Sequence, residues 1–181
     1  EGNNLAGCAY QHVSSIGNYE TNIRHENESF HDFTATGNYS YIGVDGKPFT
    51  TTAPGTAIIS GMGDAQVTGE TMFYNCAFIN CTNGIIDAYQ TFQNYMWHID
   101  GCEFENCGNG VNLCNGGCFI VSNCHFQQST NYDIVGGFDV RVRHCTSEGS
   151  NNFYLEGQDG SLGKDIFQDC WVDGWTGLGT G

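Results

Sequence analysis

The sequence predicts an all-β fold, a parallel β-helix wound as a solenoid of about seven irregular rungs. Three observations carry this. A short phrase returns around Cys76, Cys102, Cys124, Cys145 and Cys170, at steps of 26, 22, 21 and 25 residues; self-similarity at such a period marks a repeat architecture. Within the phrase, apolar residues alternate with polar ones at period two, which makes strands rather than helices. Just before each cysteine stands Asn75, Gly101, Asn123, His144 or Asp169, residue types that enter the left-handed backbone region at low cost.

Each rung follows from that phrase. Three places before the cysteine come Phe73, Ile99, Val121, Val142 and Phe167, and two places after it Phe78, Phe104, Phe126, Ser147 and Val172. One strand, a one-residue bend and a second strand therefore keep their inward residues on one side. A third strand follows a variable turn, at Gly84-Ile85-Ile86-Asp87, Gly110-Val111-Asn112-Leu113, Asp133-Ile134-Val135 and Phe153-Tyr154-Leu155-Glu156. Earlier in the chain, Ile23-Arg24-His25-Glu26-Asn27 echoes Val142-Arg143-His144-Cys145 and predicts a rung, with another near Cys8. Residues 34–57 read as a loop excursion, in which Asp45-Gly46 is a hairpin turn between Tyr41 and Phe49. Ile58-Ile59-Ser60 and Gln66-Val67-Thr68 bring the chain back to the coil. The organisation is one domain over 1–181, clearest over 70–175, with no sustained helical periodicity.

The repeated V-x-N-C-x-F phrase, as in Val121-Ser122-Asn123-Cys124-His125-Phe126, and its irregular period resemble right-handed parallel β-helices of the pectate-lyase-like superfamily. The resemblance covers roughly residues 70–175 and rests on coil geometry. It implies three strands per rung and a place among polysaccharide lyases, glycoside hydrolases, phage tailspikes and adhesins, but a fold shared so widely does not select an activity.

Twenty acidic residues face five basic ones, a net charge of −15. Nucleic acid is excluded as a partner, because its phosphates need Lys and Arg. The same charge repels acidic polysaccharide unless a metal bridges the two or the arginines gather at one place. No run of about 18 apolar residues exists to span a membrane. Solenoids need capped ends, so the short chain reads as a piece of something larger, or as one capped by a homo-oligomeric copy or a neighbouring domain.

Ten cysteines suggest an oxidising compartment and disulfides. The spacing argues otherwise for the five in the phrase. Stacked about 4.8 Å apart on adjacent rungs, their side chains point the same way rather than at each other. They read as a buried ladder of small apolar thiols with raised pKa values, and Cys81 and Cys107 as a similar stack. Cys114 and Cys118 are the local disulfide candidate, with a metal site less favoured. Sequons at Asn27, Asn38 and Asn80 carry little weight in a chain rich in Asn, Ser and Thr.

Candidate chemistry lies on the outward columns. The resemblance implies that an arginine of the coil can abstract a proton beside a uronate carboxylate; Arg141 and Arg143 are the only arginines in the clear repeat. Glu103 and Glu148, two rungs apart, are an acid and base pair for glycoside hydrolysis, which needs carboxyls about 5 to 9.5 Å apart. Tyr89, Phe92 and Tyr95, together with His98 and Trp171, offer flat rings for stacking on sugars. Asp87, Asn112, Asp133 and Glu156 fall at comparable places in successive rungs and could offer oxygen ligands to Ca2+. Against each stands a plainer role: solvated acids, ion-paired arginines, and aromatics that cover the coil. The functional expectation is an extracellular or surface β-helix that binds or degrades polysaccharide. Its rival is a non-enzymatic structural or adhesive module of a tailspike, fibre or adhesin.

Overall fold

The computed structural model describes residues 9–11, 24–27, 29–31, 39–42, 48–51, 56–60, 72–87, 96–113, 117–137, 139–155 and 165–173. Within them the chain is an all-β parallel solenoid without helix, so no helix is long and apolar enough to cross a membrane.

The first part of the chain supplies β1 (Ala9–Gln11), β2 (Arg24–Glu26), β3 (Ser29–His31), the pair β4 (Tyr39–Ile42) and β5 (Pro48–Thr51), and β6 (Thr56–Ser60). Then one strand in each of three sheets recurs. The sets are β7 (Met72–Tyr74), β8 (Ala77–Ile79) and β9 (Asn83–Asp87), then β10 (His98–Asp100), β11 (Glu103–Glu105) and β12 (Asn109–Asn112). They continue with β13 (Ile120–Ser122), β14 (His125–Gln127) and β15 (Tyr132–Val135), and with β16 (Arg141–Arg143), β17 (Thr146–Glu148) and β18 (Tyr154–Leu155). Finally come β19 (Ile166–Gln168) and β20 (Trp171–Val172). The three sheets run β2-β7-β10-β13-β16-β19, β1-β3-β8-β11-β14-β17-β20 and β6-β9-β12-β15-β18. We call them the first, second and third sheets. Among the described residues, β7 to β18 make four coils with a strand in every sheet, with further coils on either side, against the seven rungs expected.

The excursion is the antiparallel pair β4 and β5, with Tyr41 opposite Phe49; its Asp-Gly turn lies outside the described residues. The early rung exists too, but its register differs from the sequence echo. His25, not Ile23, takes the place of Phe73, so Arg24 stands in the column of Met72, His98, Ile120 and Arg141. Asn27 then reaches the bend, and the backbone hydrogen bond it donates to Tyr74 O, 3.0 Å, fixes that register.

The bends are left-handed as the residue types require: φ is 51° at Asn75, 65° at Gly101, 53° at Asn123, 50° at His144 and 52° at Asp169. A second series, at Asn80, Asn106, Gln128 and Gly149, and a third, at Met96, Cys118 and Asp139, also have positive φ. Each coil thus turns three corners, and the residue after each corner points inward. After the first corner the cysteine thiol donates to the carbonyl two residues back, from Cys76 to Tyr74 O (3.4 Å), Cys102 to Asp100 O (3.5 Å), Cys124 to Ser122 O (3.2 Å) and Cys145 to Arg143 O (3.3 Å). Cysteine suits this place because it is small and apolar yet can satisfy an oxygen that the bend turns inward.

The core is a set of stacked columns. The rings of Phe78, Phe104 and Phe126 stack nearly parallel, with successive centroids 4.9 Å apart. Beside them run Phe73, Ile99, Val121 and Val142, then Trp97, Phe119 and Val140, then Ile85, Val111, Ile134 and Tyr154, all 0–1 % exposed. Fully burying one such large apolar side chain contributes roughly 1.5–3 kcal/mol. The stacked rings leave no room for a side chain in the third sheet of the preceding rung. A Cβ at Gly84 would lie 3.0 Å from the Phe104 ring, and one at Gly110 2.9 Å from the Phe126 ring.

Candidate functional site

The first sheet gathers three of the expected residues on its outer face. Its two outward columns are Met72, His98, Ile120, Arg141 and Ile166, and Tyr74, Asp100, Ser122, Arg143 and Gln168. Arg141 and Arg143 project from one strand, two residues or about 6.8 Å apart, and His98 lies two rungs from Arg141. His98 stands edge-on to Tyr74 at 6.4 Å, and the Tyr74 hydroxyl donates to Met72 Sδ at 3.6 Å.

No ion pair joins Arg141 or Arg143 to an acid among the described residues. Of the two carboxylates in this column, Glu26 is in register with Tyr74 on the far side of Asp100 from Arg143; Asp100 is two rungs from Arg143 and already accepts from Ser122 Oγ and Asn123 Nδ2, both at 2.7 Å. Arg143 Nε is buried without a hydrogen-bond partner. His144, at the adjoining bend, lies 3.9 Å from Asp169 with both side chains exposed, a pairing that contributes little.

The carboxylates chosen from the sequence lie elsewhere. Glu103 shares a column of the second sheet with Ala77, His125, Thr146 and Trp171, whereas Glu148 shares the other with Ile79, Glu105 and Gln127. Glu103 and Glu148 are two rungs apart as expected but also offset by two residues, which puts their backbones about 12 Å apart. Glu148 instead approaches His125 at 4.0 Å. Trp171, 56 % exposed, belongs to this second face and not to that of the arginines. Tyr89, Phe92 and Tyr95 lie outside the described residues.

Among the described residues, Asp87, Asn112 and Asp133, expected to offer ligands to calcium, do not share one column. Asp87 is in register with Ser60, while Asn112 pairs one place earlier, with Ile86 and Val135. Asp133 precedes Ile134, the partner of Val111, and points inward with 0 % exposure. The variable turns had shifted the sequence alignment by up to three places. Glu156 lies outside the described residues, among which no group of three or more His, Cys, Asp or Glu is arranged to hold a metal.

Asp133 occupies the place held by Gly84 and Gly110 in the two preceding rungs, and several replacements around it go together. Ser147 stands where Phe78, Phe104 and Phe126 stack, which clears the space a ring would fill. In the small-residue column after the second corner, Cys81 and Cys107 give way to Ser129 and Ser150, both buried. The Ser147 hydroxyl donates to Asp133 Oδ2, and Ser150 Oγ accepts from the Ser129 backbone N–H at 3.0 Å. Asp133 Oδ1 and Ser129 Oγ have no partner of ordinary hydrogen-bond geometry. Burial pushes the Asp133 carboxyl above the usual range, opposed by the hydroxyls of Ser129, Ser147 and Ser150 and by His125. The interruption was visible in the sequence as Ser147 in a phenylalanine column, but only register joins it to Asp133.

The eight described cysteines are free. Cys76, Cys102, Cys124, Cys145, Cys81 and Cys107 are buried as expected, while Cys170, on the last described rung, is half-buried. Cys118 is exposed and free; Cys114, its expected disulfide partner, lies outside the described residues. The expectation of raised thiol pKa values holds for Cys124 and Cys170, where burial dominates. It fails for Cys102, which Cys124 and Cys76 on either side stabilise as thiolate by donating to it, down to about 4. Cys107 and Cys145 are lowered by the same kind of neighbour, Cys81 and Cys124. The ladder therefore titrates as a coupled column, not as separate thiols.

Comparison with family models, with curated proteins and with solved structures finds no match for this chain.

Proposed function

We propose that the chain binds an acidic polysaccharide across the outer face of the first sheet, with Arg141 and Arg143 receiving its anionic groups. The observation that carries this is the pair of arginines on one strand with no acid partner among the described residues, in a protein of net charge −15. Guanidinium groups donate to carboxylate or sulfate oxygens through a bidentate fork. Two of them about 6.8 Å apart, flanked by neutral Ile120, Ser122, Ile166 and Gln168, form a local cationic site on an otherwise repulsive molecule. His98 and Tyr74 on the same face offer rings and polar tips for sugar hydroxyls. An extracellular or cell-surface setting goes with this reading. Its enzymatic version is lyase chemistry with one of the arginines as the base.

Binding of a polyuronate, a sulfated glycan and a neutral glucan by calorimetry, with and without Ca2+, tests the reading. Acidic glycans should bind and the neutral one should not, and Arg141→Ala or Arg143→Ala should weaken binding at least tenfold. Unsaturated uronate absorbance in the same samples separates cleavage from binding. Affinity unchanged in both variants would remove the arginines from the site. The structural-module reading is favoured by the last described rung, where Phe167 occupies the inward column yet is 42 % exposed, beside Ile166 and Trp171; glycan-independent self-association would support it.

A further inference from the structure

Successive rungs place Cys76, Cys102, Cys124, Cys145 and Cys170 after the first corner, and the glycan face makes no use of them. Packing alone does not require sulfur there. In the column after the second corner, Cys81 and Cys107 give way to Ser129 and Ser150. The neighbouring inward column changes size, through Phe73, Ile99, Val121, Val142 and Phe167, yet the first-corner column keeps its cysteines. Their sulfurs share one geometry. Each thiol donates to the carbonyl two residues back, at 3.2–3.5 Å. Cys102, Cys124, Cys145 and Cys170 also lie 3.6–3.7 Å from the carbonyls of Phe73, Ile99, Val121 and Val142 in the preceding rung. Side chains in one geometry repeat at the rung spacing, about 4.8 Å, and the phenylalanine rings of the adjoining strand do so at 4.9 Å.

We propose that this column is a binding site for two-coordinate soft monovalent cations of the copper(I) class, one held in line between the sulfurs of each pair of adjacent rungs. A metal–thiolate bond is about 2.3 Å long, so a straight sulfur–metal–sulfur bridge spans about 4.6 Å, close to the repeat. A disulfide needs its sulfurs at about 2.05 Å, far inside that repeat, so the thiols stay available as ligands. Soft thiolates select copper(I). Zinc takes four converging ligands, and among the described residues no group of three or more is so arranged; a bridge between two sulfurs asks for none. Cys81 and Cys107 form one further pair of the same kind, donating to Ile79 O at 3.5 Å and to Glu105 O at 3.6 Å.

Binding exchanges protons for metal. Each thiol that enters a bridge releases its proton to solvent, its sulfur bonds the cation, and copper keeps its oxidation state. The lost S–H donors orphan no oxygen two residues back. Tyr74 O, Asp100 O, Ser122 O, Arg143 O and Gln168 O also accept the backbone N–H of Asn27, Asn75, Gly101, Asn123 and His144. A column of thiolates with one cation in every gap carries a single negative charge whatever its length, so the buried charge, costly in itself, does not grow as ions are added. Cys102, whose thiolate Cys124 and Cys76 favour from either side, supplies the first bridge. Cys76, Cys102, Cys124 and Cys145 are 0–2 % exposed while Cys170 is half-buried, so cations enter as the coil forms or from the Cys170 end.

The test uses the full chain with Cys8, Cys114 and Cys118 replaced by serine, so that the thiols left are those of the two columns. Without oxygen, it is soaked with copper(I) in the folded state and, separately, refolded with copper(I), and a chelator then strips loosely held metal. Native mass spectrometry counts the ions retained, and copper K-edge absorption reports their ligands. Two sulfurs at one distance, with no nitrogen or oxygen shell, are expected. Cys124→Ser, a replacement the second column already accepts, should lose two ions because it ends two bridges. Cys170→Ser and Cys107→Ser should each lose one. Folded protein that retains no copper by either route overturns the proposal. So does a shell of three or more sulfurs or of nitrogen or oxygen, or equal losses in Cys124→Ser and Cys170→Ser. Should a variant not fold, the K-edge spectrum of the copper-treated wild type decides alone. No glycan enters these measurements, so their outcome is independent of the arginine site.

Discussion

Replacing Asn123 separates the two things this bend residue does. Its φ of 53° costs a residue with a branched Cβ about 1–2 kcal/mol. Its side-chain amide donates to Asp100 Oδ1 at 2.7 Å in an exposed setting, where loss should cost about 0.5 kcal/mol, the low end for hydrogen bonds. Asn123→Val loses both and should destabilise by about 2 kcal/mol. Asn123→Gly loses only the amide and gains about 0.5 kcal/mol of unfolded-chain entropy to overcome, for a total of about 1 kcal/mol. Gly101, at the same corner one rung earlier with φ 65°, shows that glycine is accepted there. Urea unfolding followed by far-UV circular dichroism would give the two midpoints, and an Asp100→Ala background isolates the hydrogen bond by a double-mutant cycle. If glycine proves as costly as valine, the corner is not selected by backbone conformation and the argument for the repeat phrase is wrong.

Native protein treated with a thiol reagent should be labelled first at Cys118 and more slowly at Cys170. Cys76, Cys102, Cys124 and Cys145, 0–2 % exposed, should react only on unfolding, as mass analysis of the labelled peptides would report. Gly110→Ala should destabilise by about 1–3 kcal/mol through overpacking, because the new Cβ meets Asp133 O at 2.7 Å and the Phe126 ring at 2.9 Å; a thermal midpoint within a degree of wild type would contradict the close approach. Global stability should also depend on Asp133. Its folded pKa is raised, so the native state holds the proton longer than the unfolded chain does. Its favourable contribution is therefore full at low pH and declines as pH rises from the unfolded value, about 3.9, through the folded one. Denaturant midpoints of wild type and Asp133→Asn should diverge in that direction.

The coil itself was legible because its signal is local. The phrase around Cys124 states two strands, a corner and the inward residues within six positions, and the register agrees with it. The second corner carried the same asparagine–cysteine pair at Asn80-Cys81 and Asn106-Cys107, and could have been found by applying the rule twice. The site was less legible because outward residues have no periodic constraint and meet only through register. Glu103 and Glu148 illustrate this: two rungs were counted correctly, but the offset along the strand was invisible without pairing. Asp133 shows the stronger limit. An aspartate beside two apolar residues reads as an outward ligand, and only its alignment with Gly84 and Gly110 turns it inward.

The spacing of the rungs has a mechanical consequence. One coil, such as the 21 residues from Cys124 to Cys145, advances the axis by only about 4.8 Å. Drawn out straight at about 3.4 Å per residue, it spans roughly 70 Å. Interior rungs are sewn to both neighbours by axial hydrogen bonds, such as Asn123 N to Arg143 O and His125 N to Cys102 O, whereas a terminal rung has one neighbour. Tension on the chain therefore peels coils singly from an end, and each lengthens the molecule more than tenfold over the height it occupied. A solenoid of this kind is an extensible tether, and the Asp133 boundary, where the phenylalanine stack is broken, is the place along it where peeling should pause or start.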